Sequence, residues 1–285
     1  TVMGTHTVTA KAVTPTVTAG VSKTYDRTTA MTGLTLSSSD LVANDVVAFD
    51  GRGQFSQRQV GTGLGYTVSG ISLTGADAGN YYLGQSTLSG NNGQISARAI
   101  TISGITAANK VYDASAVATV STANATGWIS GDDVTVSAAG LFNNKHVGTG
   151  KTVTLTSSYG GADVDNYTIT GQASTTANVT AKAITISGIT AANKVYDASA
   201  VATVSTANAT GWIDGDDVTV TTTGNFRNAV NTANDKNVGA GKLVALASNY
   251  SGADVGNYTI TGQDSTTANV TAKAITISGI TAANK

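Results

Sequence analysis

The sequence predicts an all-β protein built as a tandem array, and three observations carry that expectation. The frame K-x-Y-D opens at Lys23, Lys110 and Lys194, and Lys285 stands where a fourth would open. The spacings are 110 − 23 = 87, 194 − 110 = 84 and 285 − 194 = 91 residues. Solenoid repeats run to roughly 20–50 residues, so each of these repeats is long enough to hold a core of its own. Thr, Val, Ser, Ala, Gly and Asn dominate the composition, and the β-branched residues among them pack well on a pleated, half-buried surface. All 17 acidic residues are Asp and none is Glu; Asp suits turns and Glu suits helices, so the bias favours short strands joined by tight loops.

Within a repeat the segment A-I-T-I-S-G-I sets Ile100 and Ile102 against Thr101 and Ser103 before Gly104. That period of two is the pattern of a strand with one buried face. After Tyr112 and Asp113 come AVATVST, the turn S-G-D-D at Ser130–Asp133, then VTVSAAGLF, KTVTLTS, NYTITG and TTANVTAKAIT. Six or seven strands of four to eight residues, each bounded by Gly, Asn or Asp, predict a β-sandwich. Asp77 and Tyr81 sit in the string D-x-G-x-Y, which forms a tyrosine corner in immunoglobulin-like domains; Asp254 with Tyr258 repeats it, and Asp163 with Tyr167 does so with Asp165 in place of the Gly. Tandem immunoglobulin-like sandwiches forming an elongated rod are therefore the expected architecture. The alternative is a small α/β unit of β-grasp type, because TAANKVYDASAVATV has room for one or two helical turns.

The repeat boundaries follow from the recurring segments. Residues 1–12 read as the end of a preceding repeat, 13–98, 99–182 and 183–273 as three repeat domains, and 274–285 as the start of a following one. Ile100–Val136 and Ile184–Val220 differ at one position, Ser130 against Asp214. The longer third period comes from an insertion, AVNTAND at Ala229–Asp235, polar enough for a surface loop. No Pro or Gly/Ser tract separates repeats, and Pro15 is the only proline, so a flexible linker is not expected.

KVYDASA, SGDDVTV, the Phe before NKHVGTGKTV, GADVDNYTIT and TTANVTAKAIT occur in the order seen in YDG-domain repeats, and the chain resembles that family over nearly its whole length. The resemblance extends to repeats of large secreted and surface proteins of bacteria, including filamentous-haemagglutinin-like adhesins. It implies an extracellular stalk at the bacterial cell surface, a monomeric spacer joined to the rest of a larger adhesin chain, with no enzymatic activity. Arg27, Ala114 and Ala198 stand where the family usually has Gly. If that Gly takes a positive φ, these residues should adopt something else.

Composition and motif bound the function. With net charge −1 and no basic stripe, the chain offers nucleic acid no electrostatic footprint. It has no Cys, hence no disulfide or thiolate chemistry, and no apolar run approaches the ~18 residues of a membrane helix. His6 and His146 lie in different repeats, so no His-based triad recurs. Tyr25 with Asp26, Tyr112 with Asp113 and Tyr196 with Asp197 read as folding signposts at each repeat's start. Asp132 with Asp133 and Asp216 with Asp217 pair carboxylates that calcium could use, although the first repeat has only Asn44-Asp45 there. No other cofactor is expected. Lys110, Asp113 and Asn166, with Lys194, Asp197 and Asn257, have the residue types of an intramolecular isopeptide bond, against a plain reading as surface Lys, capping Asp and turn Asn. The competing function is a binding module whose repeats engage a host glycan, protein or matrix ligand.

Overall fold

The computed structural model describes residue 4 and residues 6–283; residues 1–3 and Thr5 of the expected preceding repeat, and Asn284 and Lys285 of the following one, lie outside them. The protein is all-β. The helical segments among the described residues are three 3-10 turns, Ala78–Asn80, Val164–Asn166 and Val255–Asn257. No helix is long and apolar enough to cross a membrane. The stretch with room for helical turns instead runs as short strands, Thr106–Ala107, Lys110–Val111, Val117–Ala118 and Val120–Ser121. Its middle is held in a turn, because the Lys110 ammonium donates to the Ser115 and Val117 carbonyls at 2.8 and 2.9 Å.

Two compact units divide the chain, and they do not coincide with the sequence repeats. One comprises residues 1–106, 121–139 and 155–173, the other 107–120, 140–154 and 174–285. The division falls inside the strands Thr135–Phe142 and Gly148–Gly160. Each unit therefore gathers pieces of two successive repeats, which a reading by repeat boundaries alone does not foresee.

The first unit contains a four-stranded sheet in the order Ser22–Thr24, Leu88–Ser96, Gly61–Thr74, Ala48–Phe55. Its edge strand pairs in parallel, Lys23 opposite Ile95, and the other pairings are antiparallel. Alternation decides what enters the core: in Ala48–Phe55 Gly53 and Phe55 are buried while Arg52 and Gln54 are exposed. Phe55, Val68 and Ile95 are each 3% exposed or less, and burying a side chain of this size contributes about 1.5–3 kcal/mol. The unit also contains two parallel pairs, Lys11–Val13 with Tyr81–Leu83 and Arg98–Thr101 with Tyr167–Thr170, and the antiparallel pair Thr16–Ala19 with Thr35–Ser37.

The second unit contains a five-stranded sheet, Lys194–Val195, Ser265–Thr271, Gly239–Ser251, Thr219–Phe226, Val201–Ala202. Phe226, Val244, Val270, Ala202 and Ala268 form its core cluster. Lys182–Thr185 pairs in parallel with Tyr258–Thr261, Ile184 opposite Ile260. The alternation expected of A-I-T-I-S-G-I is present: Ile184, Ile186 and Ile189 are buried, Thr185 and Ser187 exposed. Residues 274–283 repeat that opening but form no strand. In the two preceding copies the strand pairs with a later N-Y-T-I segment of its own repeat. The insertion Ala229–Asp235 is a tight loop, with the Asn228 carboxamide accepting from the Thr232 N–H at 2.8 Å and Asp235 paired with Lys242 at 2.6 Å.

Candidate functional site

The K-x-Y-D frame divides its labour. Its Lys and Asp act locally: Lys23–Asp26, Lys110–Asp113 and Lys194–Asp197 form ion pairs at 2.6, 2.7 and 2.8 Å. The same ammonium donates to two backbone carbonyls of the following turn in every copy, closing that turn on itself. The residue after the Asp is left-handed each time, with φ of 70° at Arg27, 62° at Ala114 and 63° at Ala198. The expectation that these residues avoid the conformation of the usual Gly is therefore corrected. The Lys–Asp clamp fixes the turn and the substituted residue accepts the strain.

The Tyr leaves its own repeat. In the first unit the Tyr25 hydroxyl donates to Asp132 Oδ2 at 2.9 Å, across 107 residues of sequence, and Tyr167 donates to the same oxygen at 2.5 Å. The two rings meet edge to face, 5.5 Å apart at 80°, a favoured aromatic geometry. Tyr167 also accepts from the Ile129 N–H at 3.1 Å. Asp132 Oδ1 faces Arg27 Nε at 3.0 Å, and the Arg27 guanidinium also donates to the Ser130 and Gly131 carbonyls. Gly131 has φ +90°, the left-handed region that favours Gly, and a Cβ there would have to displace the tip of the Arg27 side chain 2.4 Å away. Arg58 reaches Asp163 at 3.4 Å, and the Asn166 carboxamide accepts from the Val60 N–H at 3.0 Å.

The second unit builds the same device one repeat later. Tyr112 donates to Asp216 Oδ2 at 2.9 Å, Tyr258 donates to that oxygen too, and the rings lie 5.5 Å apart at 82°. The cation is now Lys145, 2.6 Å from Asp216 and 2.9 Å from Asp254. Asn257 accepts from the Val147 N–H at 3.0 Å and approaches His146 Nδ1 at 3.2 Å. Burial alone would push the Asp216 carboxyl up, but hydrogen bonds from Lys145, Tyr258 and Tyr112 outweigh it and hold it below the usual range. Lys145 and the Asp217 N–H hold Asp254 low as well. Burial and then the hydrogen bond to Asp216 raise both phenols, Tyr258 to about 12. Burial and then Asp132 raise Tyr25 and Tyr167 likewise.

A comparison with family models matches the YDG domain to residues 9–89, 96–177 and 180–268. The chain belongs to the YDG-domain family. A search of curated proteins finds no match. In each latch the Tyr of one YDG domain meets the Asp of the next, and the contact lies within a single compact unit.

The remaining candidates fall around this contact between YDG domains. Asp132 and Asp216, among the carboxylates that calcium could use, accept from tyrosine hydroxyls and each face a cation, while Asp133 and Asp217 accept from the Ala162 and Ala253 N–H groups. Among the described residues no three His or Asp side chains converge as a metal site. Tyr81, the first repeat's D-x-G-x-Y tyrosine, donates to Asp45 at 2.5 Å and accepts from the Val42 N–H, and Asp77 accepts from the Val46 N–H at 2.8 Å. The corner tyrosines thus bond backbone 38 to 45 residues upstream, along with a carboxylate. The Asn166 and Asn257 carboxamide oxygens accept from the neighbouring repeat, and their amide nitrogens donate to Asp163 and Asp254 of their own, with no bond to Lys110 or Lys194 among the described residues. Arg27, Arg58, Lys145 and the two Asn were not singled out as latch residues from sequence. The Asn-Tyr pair kept at Asn80, Asn166 and Asn257 was the available signal.

Proposed function

We propose that this array is a non-catalytic spacer of an exported bacterial surface protein, made of immunoglobulin-like sandwich repeats and holding a distal binding region away from the cell. One observation carries the reading: in the first two repeats the Tyr of K-x-Y-D, the residue most available for a ligand or a reaction, is consumed by the following repeat. Tyr25 and Tyr112 are 0% and 1% exposed. A hydroxyl donated to a buried carboxylate, with its ring held edge to face, joins each repeat to its neighbour and opposes swivelling between them. A spacer needs that coupling, whereas a ligand-binding repeat needs its recurring aromatics open to solvent. Resemblance to repeats of large surface proteins and composition without a nucleic-acid or thiol site support the same assignment.

Small-angle scattering on arrays of two, three and four repeats tests it. The maximum dimension should rise by an equal increment with each added repeat. An increment that vanishes, or a dimension indifferent to repeat number, overturns the spacer.

A further inference from the structure

One long strand of the third repeat is paired along the whole of one side and along only part of the other. Thr219–Phe226 runs antiparallel to Gly239–Ser251 from Thr219 opposite Ser251 to Phe226 opposite Val244. On its other side Val201–Ala202 covers only Asn225 and Gly224, and the Phe226 N–H donates to the Ala200 carbonyl at 2.8 Å. Among the described residues no strand pairs with Thr219–Thr223 on that side. The second repeat has the same arrangement: Val117–Ala118 reaches only Leu141 and Gly140, and no strand lies beyond Thr135–Ala139. A full repeat follows the second one and adds no strand to that edge, so the opening is a property of the repeat itself.

An open edge presents backbone N–H and C=O groups that can pair with another extended chain. The first repeat blunts its own. There the strand Ala48–Phe55 carries exposed Asp50 and Arg52, and its register against Gly61–Thr74 shifts between them; charge and a bulge both keep edges apart. The third repeat has neither device. Its T-V-T-T-T stretch is uncharged, the register is unbroken from Thr219 to Phe226, and every residue of the stretch is β-branched, the type best suited to a strand. The second repeat's T-V-S-A-A is also uncharged but ends in two alanines, which are poorer strand formers. Thr219, Thr221 and Thr223 are exposed and Val220 is buried, so side chains on the solvent face can be changed without entering the core.

We infer that Thr219–Thr223 of one chain pairs antiparallel with Thr219–Thr223 of a second copy, joining two five-stranded sheets edge to edge. The composition of the edge selects that partner. Laid antiparallel on itself, the stretch sets Thr and Val against Thr and Val, pairs that strands favour, and opposes no charge. The same patch is used by both molecules, so the contact is isologous and closes at a dimer. The inference goes beyond the spacer reading, since it concerns association of chains and not their length.

Sedimentation equilibrium of the full chain from micromolar to about 1 mM, where contacts at the weak end of the affinity scale still register, tests it. Weight-average mass should rise with concentration toward twice the chain mass and stop there. Thr221 lies mid-stretch and therefore close to its own counterpart in the pair. The double variants Thr221→Lys with Thr223→Lys and Thr221→Asp with Thr223→Asp bring like charges together across the pair, and each should weaken dimerisation by at least about tenfold. Mixed one to one, the two variants set Lys against Asp, and the mass should return toward the wild-type value at the same concentration. A chain monomeric throughout, growth past the dimer, variants that dimerise as well as the wild type, or a mixture as monomeric as its components overturns the inference. A scattering increment that fails while association persists strikes the spacer alone.

Discussion

The two latches hold the same three groups in nearly the same geometry and neutralise them differently. Tyr25, Tyr167 and Asp132 superimpose in role on Tyr112, Tyr258 and Asp216, with ring separations of 5.5 Å in both. The first latch draws its positive charge from two arginines, Arg27 at 3.0 Å from Asp132 and Arg58 at 3.4 Å from Asp163. The second draws it from one lysine lying between Asp216 and Asp254. The phenol–carboxylate–phenol cluster is therefore the fixed element, and the cation is whatever the local sequence can deliver. A buried carboxylate needs a counter-charge, but nothing in that need dictates which backbone position supplies it.

The largest effect should come from removing the shared carboxylate. Asp132→Ala and Asp216→Ala each strand two phenols and a cation, and each should destabilise its unit by about 3 kcal/mol, the scale for breaking a buried charged pair. Urea denaturation followed by Tyr fluorescence reads it. Equal losses place the energy in the Tyr–Asp–Tyr cluster; a clearly larger loss in one variant means the cations differ in weight and the two latches are not equivalent.

Acid should loosen the second latch through a defined window. The Asp216 and Asp254 carboxyls titrate below their unfolded value of about 3.9, so their contribution is fully present above about pH 4 and is lost as pH falls through the lower folded values. The phenols work in the opposite sense. Their raised values mean stability present below about pH 10 and lost as pH climbs toward the folded value, about 12 for Tyr258. Thermal melts across both limbs should show these losses in the wild type, and Asp216→Ala should shrink both without abolishing them, since burial still raises the phenols and Lys145 still holds Asp254 low. An unchanged acid limb in that variant would place the acid-sensitive group elsewhere.

Smaller effects should separate the cations. Lys145 serves two carboxylates, whereas Arg58 serves one at longer range while Arg27 holds the other. Lys145→Ala should therefore lower the urea midpoint by more than Arg58→Ala, whose partly exposed, long pair is worth about 0–1 kcal/mol. The reverse order would show that Arg58 and not Arg27 is the principal cation of the first latch.

The all-β class, the tandem period and the alternating A-I-T-I-S-G-I strand were legible because each rests on local pattern, and Ile184, Ile186 and Ile189 lie on the buried face that the alternation requires. The latch was not legible because it is a choice between equivalent partners. Tyr25 has an Asp of the same type at Asp45 in its own repeat and at Asp132 in the next, and a repeated sequence does not say which one it meets. Lys145 lies two residues before the V-G-T-G segment Val147–Gly150, in a stretch that the sequence marks only by its place in the repeat. Arg27 registered only as a departure from Gly, when its side chain was the counter-ion of a carboxylate more than a hundred residues away.

That departure gives the smallest and most selective test. Arg27, Ala114 and Ala198 occupy the left-handed region, where a Cβ costs about 1–2 kcal/mol that Gly avoids, set against the greater freedom Gly has in the unfolded chain. Ala114→Gly and Ala198→Gly touch no latch contact and should stabilise by about 1 kcal/mol, raising the midpoint of chemical denaturation. Arg27→Gly gains the same backbone relief but deletes the 3.0 Å pair with Asp132 and the bonds to the Ser130 and Gly131 carbonyls. It should therefore gain nothing, or lose stability outright. If Arg27→Gly stabilises as much as Ala114→Gly, the guanidinium contributes nothing net, and the first latch runs on the tyrosine pair alone. If it destabilises, the first repeat keeps a strained residue because the strain carries the counter-charge that Lys145 supplies without strain in the second.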